Sequence, residues 1–497
     1  MNSKKATIVI AVVVILVILA GILVSATCSG KNKSDEKASK KVESTKETDT
    51  TKEVSIKETT RKDDETATSE TESLDEETQS GDGESAKDET TSMQENVTNN
   101  SEERTTNIVD ENNTTKPDAT EKPTIEQATT GTSGGSNDNT DTSQGTMRNM
   151  TTAQIVREMG IGINLGNTFE SCGTWINKSS VTNFETAWGS PVITKAMLQG
   201  MADEGFGVLR IPVAWSNMMD SDYNIDPSYI ARVKEVVDWT LDSGMYAIVN
   251  IHYDSGWWEN FPTDKENCMK KYKSIWTQLS AAFADYGDKL MFESLNEEGC
   301  WDSVWNRYGG ATASKKTAFD LLNEINQTFV DVVRGSGSNN AYRHLLIAGY
   351  ATDITLTCDS YFKMPNDPQG RCAVSVHYYT PSTYTILEKD ESWGKAQTEW
   401  GSDADVAELK KYMKMMNDNF VRKGIPVIVG EFGVPAMSNK DKDNTIFYMK
   451  SVAEAAYDYG MCPILWDTTS NYSYYNRYTC SMSEFASLKE AFSNILK

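Results

Sequence analysis

No phenylalanine, tyrosine or tryptophan occurs in the first 146 residues of this 497-residue chain; all 14 Phe, 21 Tyr and 12 Trp fall in residues 147–497. A stretch without aromatic rings and rich in Thr, Ser, Glu, Asp and Lys buries too little apolar surface to offset its ordering entropy. Residues 31–146 therefore read as a disordered low-complexity linker and residues 147–497 as the folded domain. Histidine is scarce as well, with three in the chain. With no Cys-x-x-Cys pair and no histidine cluster, a structural zinc site is not expected, nor is any metal or organic cofactor. The seven domain cysteines (Cys172, Cys268, Cys300, Cys358, Cys372, Cys462, Cys480) are odd in number and spread over a domain large enough to have its own core, which argues against a disulfide framework. Basic charge is short too: residues 31–146 hold 14 Lys or Arg against 29 Asp or Glu, and the domain 32 against 43, within a net charge of -24. Two acidic parts argue against nucleic acid as a partner, because phosphate binding needs basic patches. Neutral polymers remain allowed.

What the N-terminus does have is an address. Lys4 and Lys5 precede an apolar run over residues 8–24. That run is long for a signal-peptide core and at the short limit for a spanning helix of ~20 residues. Residues 1–30 are read as a signal anchor or a cleaved signal peptide, and Cys28 adds a lipoprotein alternative. By the positive-inside rule the lysines stay cytoplasmic, so the domain is expected outside the cell, anchored to the membrane or secreted. The acidic linker would extend it away from that surface.

From residue 147 apolar runs alternate with amphipathic helical patterns, the signature of a parallel sheet built from βα units. Strands are expected at 161–167, 208–213, 246–253, 290–297, 344–350, 373–379, 427–432 and 463–467. Helices are expected at 194–204, 227–242, 270–286, 315–334, 405–420, 444–459 and 483–496, with room for only a short helix after the fifth strand. Eight such units predict an α/β fold of the (β/α)8 TIM-barrel type, whose reactive groups sit at the carboxyl ends of the strands. Glu297 ends the fourth strand and Glu431 the seventh. Two carboxylates on separate strand ends are what glycoside hydrolysis requires.

Motifs follow one another along the domain in a consistent order: Gly162-Ile-Asn-Leu-Gly-Asn-Thr168, Glu185-Thr-Ala-Trp-Gly189, Leu209-Arg-Ile-Pro212, Asn250-Ile-His-Tyr253, Asn296-Glu297, His377-Tyr-Tyr379, Gly430-Glu-Phe-Gly433 and Leu465-Trp466. Each is weak alone. Together, each at a strand end or the loop beside it, they resemble family 5 of the glycoside hydrolases, within the retaining clan of (β/α)8 barrels, and most of all its bacterial endo-β-1,4-glucanases. The resemblance implies that Glu297 is the acid/base and Glu431 the nucleophile. It also implies that Arg210 is the cation lowering the pKa of the nucleophile, that Tyr379 donates to the same carboxylate, and that Asn296 binds the sugar 2-hydroxyl. His252 and His377 would complete the polar floor, and His344, at a strand's start, reads as structural.

Aromatic faces serve as sugar platforms, because the C–H faces of β-linked glucose are apolar. The resemblance makes Trp466 the platform beside the cleavage point; Asn167 and the loop tryptophans Trp257, Trp258 and Trp301 are further substrate-binding candidates, with Trp175, Trp215 and Trp305 on the same face. Trp239 and Trp276 fall inside helical patterns and read as core. Two departures stand out, Tyr253 where many relatives carry a second histidine and Glu298 where many have proline. The expected protein is a retaining endo-acting β-glucanase with a β-glucan polysaccharide as substrate and a monomeric catalytic domain. Xyloglucan, lichenan or mannan as the substrate remains open, as does a surface carbohydrate-binding protein without activity.

Overall fold

The structure, a computed structural model, describes residues 145, 147–309, 314–436 and 438–497. The anchor reading of residues 1–30 and, apart from Gly145, the linker reading of residues 31–146 lie outside the described residues. Among the described residues no helix is long and apolar enough to cross a membrane.

Eight parallel strands close into a barrel in chain order: β1 (Gly162–Asn164), β2 (Val208–Ile211), β3 (Tyr246–Asn250), β4 (Leu290–Glu293), β5 (Leu345–Asp353), β6 (Cys372–Tyr378), β7 (Val427–Phe432) and β8 (Cys462–Leu465). The long helices are α1 (Thr152–Met159), α2 (Lys195–Asp203), α3 (Pro227–Asp242), α4 (Lys265–Ala282), α5 (Lys315–Gly335), α6 (Asp403–Asn419), α7 (Lys442–Asp458) and α8 (Ala486–Ile495). Seven of them match expected helices. At the start of α3, Asp226 caps the helix by accepting from the Ser228 amide, and Pro227 has no amide to leave unpaired there.

Helix α1 was not expected. Its signal is a capping box in which Thr151 and Gln154 satisfy each other's amides. Its inner face, Ile155, Val156 and Met159, packs against Val208, Ile248, Met291, Leu346, Ile428 and Ile464, which line the barrel interior. The helix thus plugs the amino-terminal mouth with apolar side chains. At the same end His344 bonds Thr152 through Nδ1 at 2.9 Å, and burial holds its pKa down at about 3.

Strand side chains alternate between faces with a period of two. One step on from the apolar plug, the same inward-facing positions carry Asn164, Arg210, Asn250, Glu293 and Ser375, all fully buried. The outward positions, among them Ile163, Leu209, Val249, Phe292, Ile347 and Val374, pack into the larger core beneath the helices. The barrel is therefore apolar at one end and charged at the other. All seven domain cysteines are free.

Several strands are shorter than the sequence indicates. β4 ends at Glu293, so Asn296 and Glu297 stand beyond the strand on the loop it launches, and Asn167 and His252 likewise lie past β1 and β3. The apolar runs continue because those loop residues turn back into the core, as Leu295 and Ile251 do. β5 is longer than expected. Its register shifts between Ala348 and Asp353, where Ala351 and Thr352 adopt left-handed backbone (φ 51° and 43°) before a four-residue helix, Ile354–Thr357.

Candidate active site

Arg210 is the hub of the charged end. Its Nε donates to Glu293 at 2.7 Å, Nη1 to Glu431 at 2.8 Å and to Asn164 at 3.0 Å, and Nη2 to Asn296 at 2.8 Å. One buried guanidinium thus ties β1, β2, the β4 loop and β7 together, the planar fork that arginine offers and lysine does not. Glu293 also accepts from Ser375 Oγ at 2.7 Å, so its charge is held inside the barrel by β2 and β6.

Glu431 is nearly buried, and Tyr379 Oη donates to its second oxygen at 3.1 Å. Burial pushes its carboxyl above the ordinary range, while His377 and Arg210 pull the other way. Arg210 thus pulls the pKa of this carboxyl down, in the expected direction, and shares that pull with His377 against burial. Glycine at 430 makes room for His377: a Cβ there would stand 3.2 Å from Nε2 of the imidazole, closer than such contacts normally come.

Glu297 lies across from Glu431, its side chain 40 % exposed to the cleft. His377 Nδ1 sits between the two carboxylates, 2.7 Å from Glu297 and 3.7 Å from Glu431. A single proton serves the short contact. One ligating atom from each of these three residues lies within 4.8 Å of the others, and they form the one group among the described residues with the composition and spacing to hold a metal ion.

The cleft is lined by Asn167, His252, Trp258, Asn296, Glu297, Tyr379, Glu431 and Trp466, the expected residues, joined by Trp188, Glu170, Tyr253, Glu298, Ile386 and Tyr472. The His252 ring stacks on Trp466 with centroids 5.8 Å apart and planes 5° from parallel. Burial, with Arg210 and His377 close by, drives its pKa well down and keeps the imidazole neutral. Asn167 adopts left-handed backbone (φ 58°), and its amide, together with that of Thr168, donates to the buried Glu170 carboxyl. Burial raises that carboxyl to about 7 despite Arg477 nearby.

Two tryptophan expectations are corrected. Trp301 is 3 % exposed, its indole N–H donates to the Trp258 carbonyl at 3.2 Å, and its ring packs edge-on against Tyr350. Trp257 is absent from the cleft lining. Its N–H goes to Asp254 at 2.7 Å and its ring lies beneath the Lys271 ammonium. In both cases an acceptor in the loop after β3 holds the indole N–H. Of the other loop tryptophans, Trp215 is fully buried with its N–H on the Asn250 carbonyl, Trp305 packs beside Tyr350, and Trp175 is exposed. Trp276 is core as expected, whereas Trp239 is half-buried beneath Arg232. Trp188 was missed as a lining residue although the Glu185-to-Gly189 motif contains it. Tyr472 and Ile386 carry no sequence signal, since they reach the cleft from loops after β8 and β6.

Comparison with known proteins agrees with this geometry. Residues 170–472 match the model of the cellulase family, glycosyl hydrolase family 5. Endoglucanase B of Clostridium cellulovorans is 33% identical over 336 residues, covering 67% of this chain and 72% of that protein. Among solved structures, a broad-specificity endoglucanase from an uncultured bovine rumen ciliate superposes with a TM-score of 0.63 at 36% identity, covering 70% of this chain and 98% of the other. A family 5 lichenase from Caldicellulosiruptor sp. F32, in complex with cellotetraose, gives a TM-score of 0.64 at 31% identity over 71% of this chain and 96% of the other.

Proposed function

This chain belongs to glycosyl hydrolase family 5, and from that premise we propose that it is a retaining endo-β-glucanase in which Glu431 attacks the sugar and Glu297 transfers the proton. The spacing of the carboxyls carries the reading. Oxygens of Glu297 and Glu431 approach within 4.8 Å, whereas an inverting pair needs roughly 6.5–9.5 Å to admit water between them and a retaining pair about 5 Å.

The two environments suit different roles. Glu431 is buried, fixed by Arg210 and Tyr379, and aimed by two charge-assisted or polar contacts. Such a carboxylate has lost its freedom to turn away, as a nucleophile must. Glu297 reaches into the cleft, with one carboxyl oxygen hydrogen-bonded to His377 Nδ1. In the first step a Glu431 oxygen bonds to the anomeric carbon as the glycosidic oxygen departs with the proton of Glu297; in the second, Glu297 takes a proton from water, which displaces Glu431. Arg210 holds Asn296 by its amide oxygen, leaving the amide N–H2 to donate toward a sugar hydroxyl. Trp466, braced by His252, offers the apolar platform.

A relative of broad specificity and another named for lichenan support a β-glucan as substrate, with the choice among cellulose, lichenan, xyloglucan and mannan set by the cleft walls. Reducing-sugar release on those four polymers, with Glu297→Gln and Glu431→Gln alongside, tests the reading. Activity that collapses in both variants is expected. Activity that survives either one assigns the chemistry to other carboxylates, and a folded, inactive parent that binds glucan restores the carbohydrate-binding alternative. The apolar run behind Lys4 and Lys5 supports export. Activity confined to the cytoplasm of intact cells would refute it.

A further inference from the structure

Glu298 has no part in the chemistry just described, yet it is a buried carboxyl directly after the proton-transferring residue. The segment that carries Glu297 is tied to β5 at both ends: the Ser294 amide donates to the Leu346 carbonyl at 2.9 Å, and the Ala351 amide to the Glu298 carbonyl at 2.8 Å. Ala351 is one of the two left-handed residues at the end of β5, so the strand distorts where it grips this loop. Between the two ties, the Asn296 amide finds its partner in the Glu298 side chain, which folds back so that Oε2 accepts at 2.6 Å. The other oxygen, Oε1, has no hydrogen-bond partner among the described residues, and the residue is 1 % exposed.

The charge state follows from what surrounds it. Burial pushes its carboxyl well above the ordinary range, and the acidic Glu297 and Glu293 add to that against the opposing pull of its backbone amide bonds. The side chain is therefore a neutral acid. It accepts the amide bond without adding a negative charge beside Glu297. A proline here would restrict the chain covalently; this sequence does the same work with a hydrogen bond.

We propose that Glu298 is a positioning residue for Glu297: its carboxyl, folded back onto the Asn296 amide, fixes the turn from which Asn296 meets Arg210 and Glu297 meets His377. The inference rests on the reading of Glu297 as the acid/base. It makes proton transfer, and not attack by Glu431, the step that suffers when Glu298 is altered.

The test compares two substrates on the full chain. A β-glucan polymer has a poor leaving group and needs the general acid, whereas 2,4-dinitrophenyl β-cellobioside with added azide needs neither acid nor base help. Glu298→Ala is expected to lower the ratio of polymer kcat to dinitrophenyl-cellobioside kcat roughly tenfold or more, as loss of a buried amide's acceptor implies, with KM unchanged. Glu298→Gln, which keeps an uncharged acceptor at the same reach, restores the ratio. Glu298→Asp, one methylene shorter, behaves like Ala and replaces it if that variant does not fold. An unchanged ratio in both Ala and Asp variants, or a Gln variant as impaired as Ala, overturns the proposal. Glu297→Gln run beside them separates the two readings: a parental ratio there refutes the acid/base assignment itself, and this inference with it.

Discussion

Arg210→Met removes the guanidinium that bonds both Glu293 and Glu431, two buried carboxyls, and its cost has a ceiling that depends on pH. Breaking a buried ion pair by deleting one partner costs ~3–5 kcal/mol, because the other charge is left uncompensated. A stranded carboxylate has an escape, however, which is to take up a proton. At pH 7 that costs about 1.4 kcal/mol for each pH unit above its ordinary pKa near 4.5, so roughly 3 kcal/mol per carboxylate; at pH 5 it costs under ~1 kcal/mol. The sign follows directly. In the variant both carboxyls have folded-state pKa values raised above their unfolded values, so the folded state holds more protons and stability falls as pH rises through that window. The parent has only the part of this slope that burial gives Glu431 against the opposing pull of Arg210 and His377. With an unfolding entropy near 0.7 kcal/mol/K for a domain of about 350 residues, a loss of ~4 kcal/mol is about 5 °C in Tm. Thermal unfolding of both proteins at pH 5 and pH 7 is the assay. A deficit of about 5 °C or more at pH 7 that shrinks to 1–2 °C at pH 5, on that same scale, is expected. An equal deficit at both pH values would show that Arg210 acts through its packing volume alone and that neither carboxylate depends on its charge.

Tyr379→Phe deletes the donor to Glu431 and leaves the ring; with a hydrogen bond to a charged group worth ~1.5–3 kcal/mol, kcat/KM on the preferred glucan should fall about 10- to 100-fold while Tm falls by no more than about 4 °C, and an unchanged rate would remove Tyr379 from the site. Trp466→Ala and Trp301→Ala should separate by function: the first raises KM for cello-oligosaccharides, while the second leaves KM alone and lowers stability by ~3–5 kcal/mol, as large-to-small core changes do, so a KM effect of Trp301→Ala in a stable protein contradicts its burial. Glu170, raised to about 7 by burial, contributes a stability that is full below pH ~4.5 and lost as pH rises toward 7, by roughly 3 kcal/mol; Glu170→Gln should flatten that part of the Tm-against-pH curve, and an unchanged slope places the titration elsewhere.

The legible parts of this protein are those where one residue's position along a strand determines its surroundings. Period-two alternation puts Val208 and Arg210, or Met291 and Glu293, on the same inner face, and a charge in that pattern must lie inside the barrel near its carboxyl end. Strand ends then locate Glu431 and, one residue past β6, Tyr379, whereas Glu297 stands four residues beyond β4 on the loop it launches and was legible through the Asn296-Glu297 motif. What lay beyond reach depends on which of several neighbours a side chain chooses. Trp257, Trp258 and Trp301 are alike as sequence, each an indole on a loop of the catalytic face, and only the acceptors they meet distinguish them: Asp254 and the Trp258 carbonyl take two inward, while Trp258 gives its N–H to the Tyr253 carbonyl and keeps a face on the cleft. Helix α1 was hidden for a different reason. It is eight residues long, and its three buried apolar side chains face the barrel mouth and not a neighbouring helix, so its role exists only once eight strands have closed into a ring. Glu298 combines both difficulties. In sequence it stands out only as an acid where many relatives have proline, and only the fold, which buries it and turns it back on the Asn296 amide, converts that acid into a neutral brace.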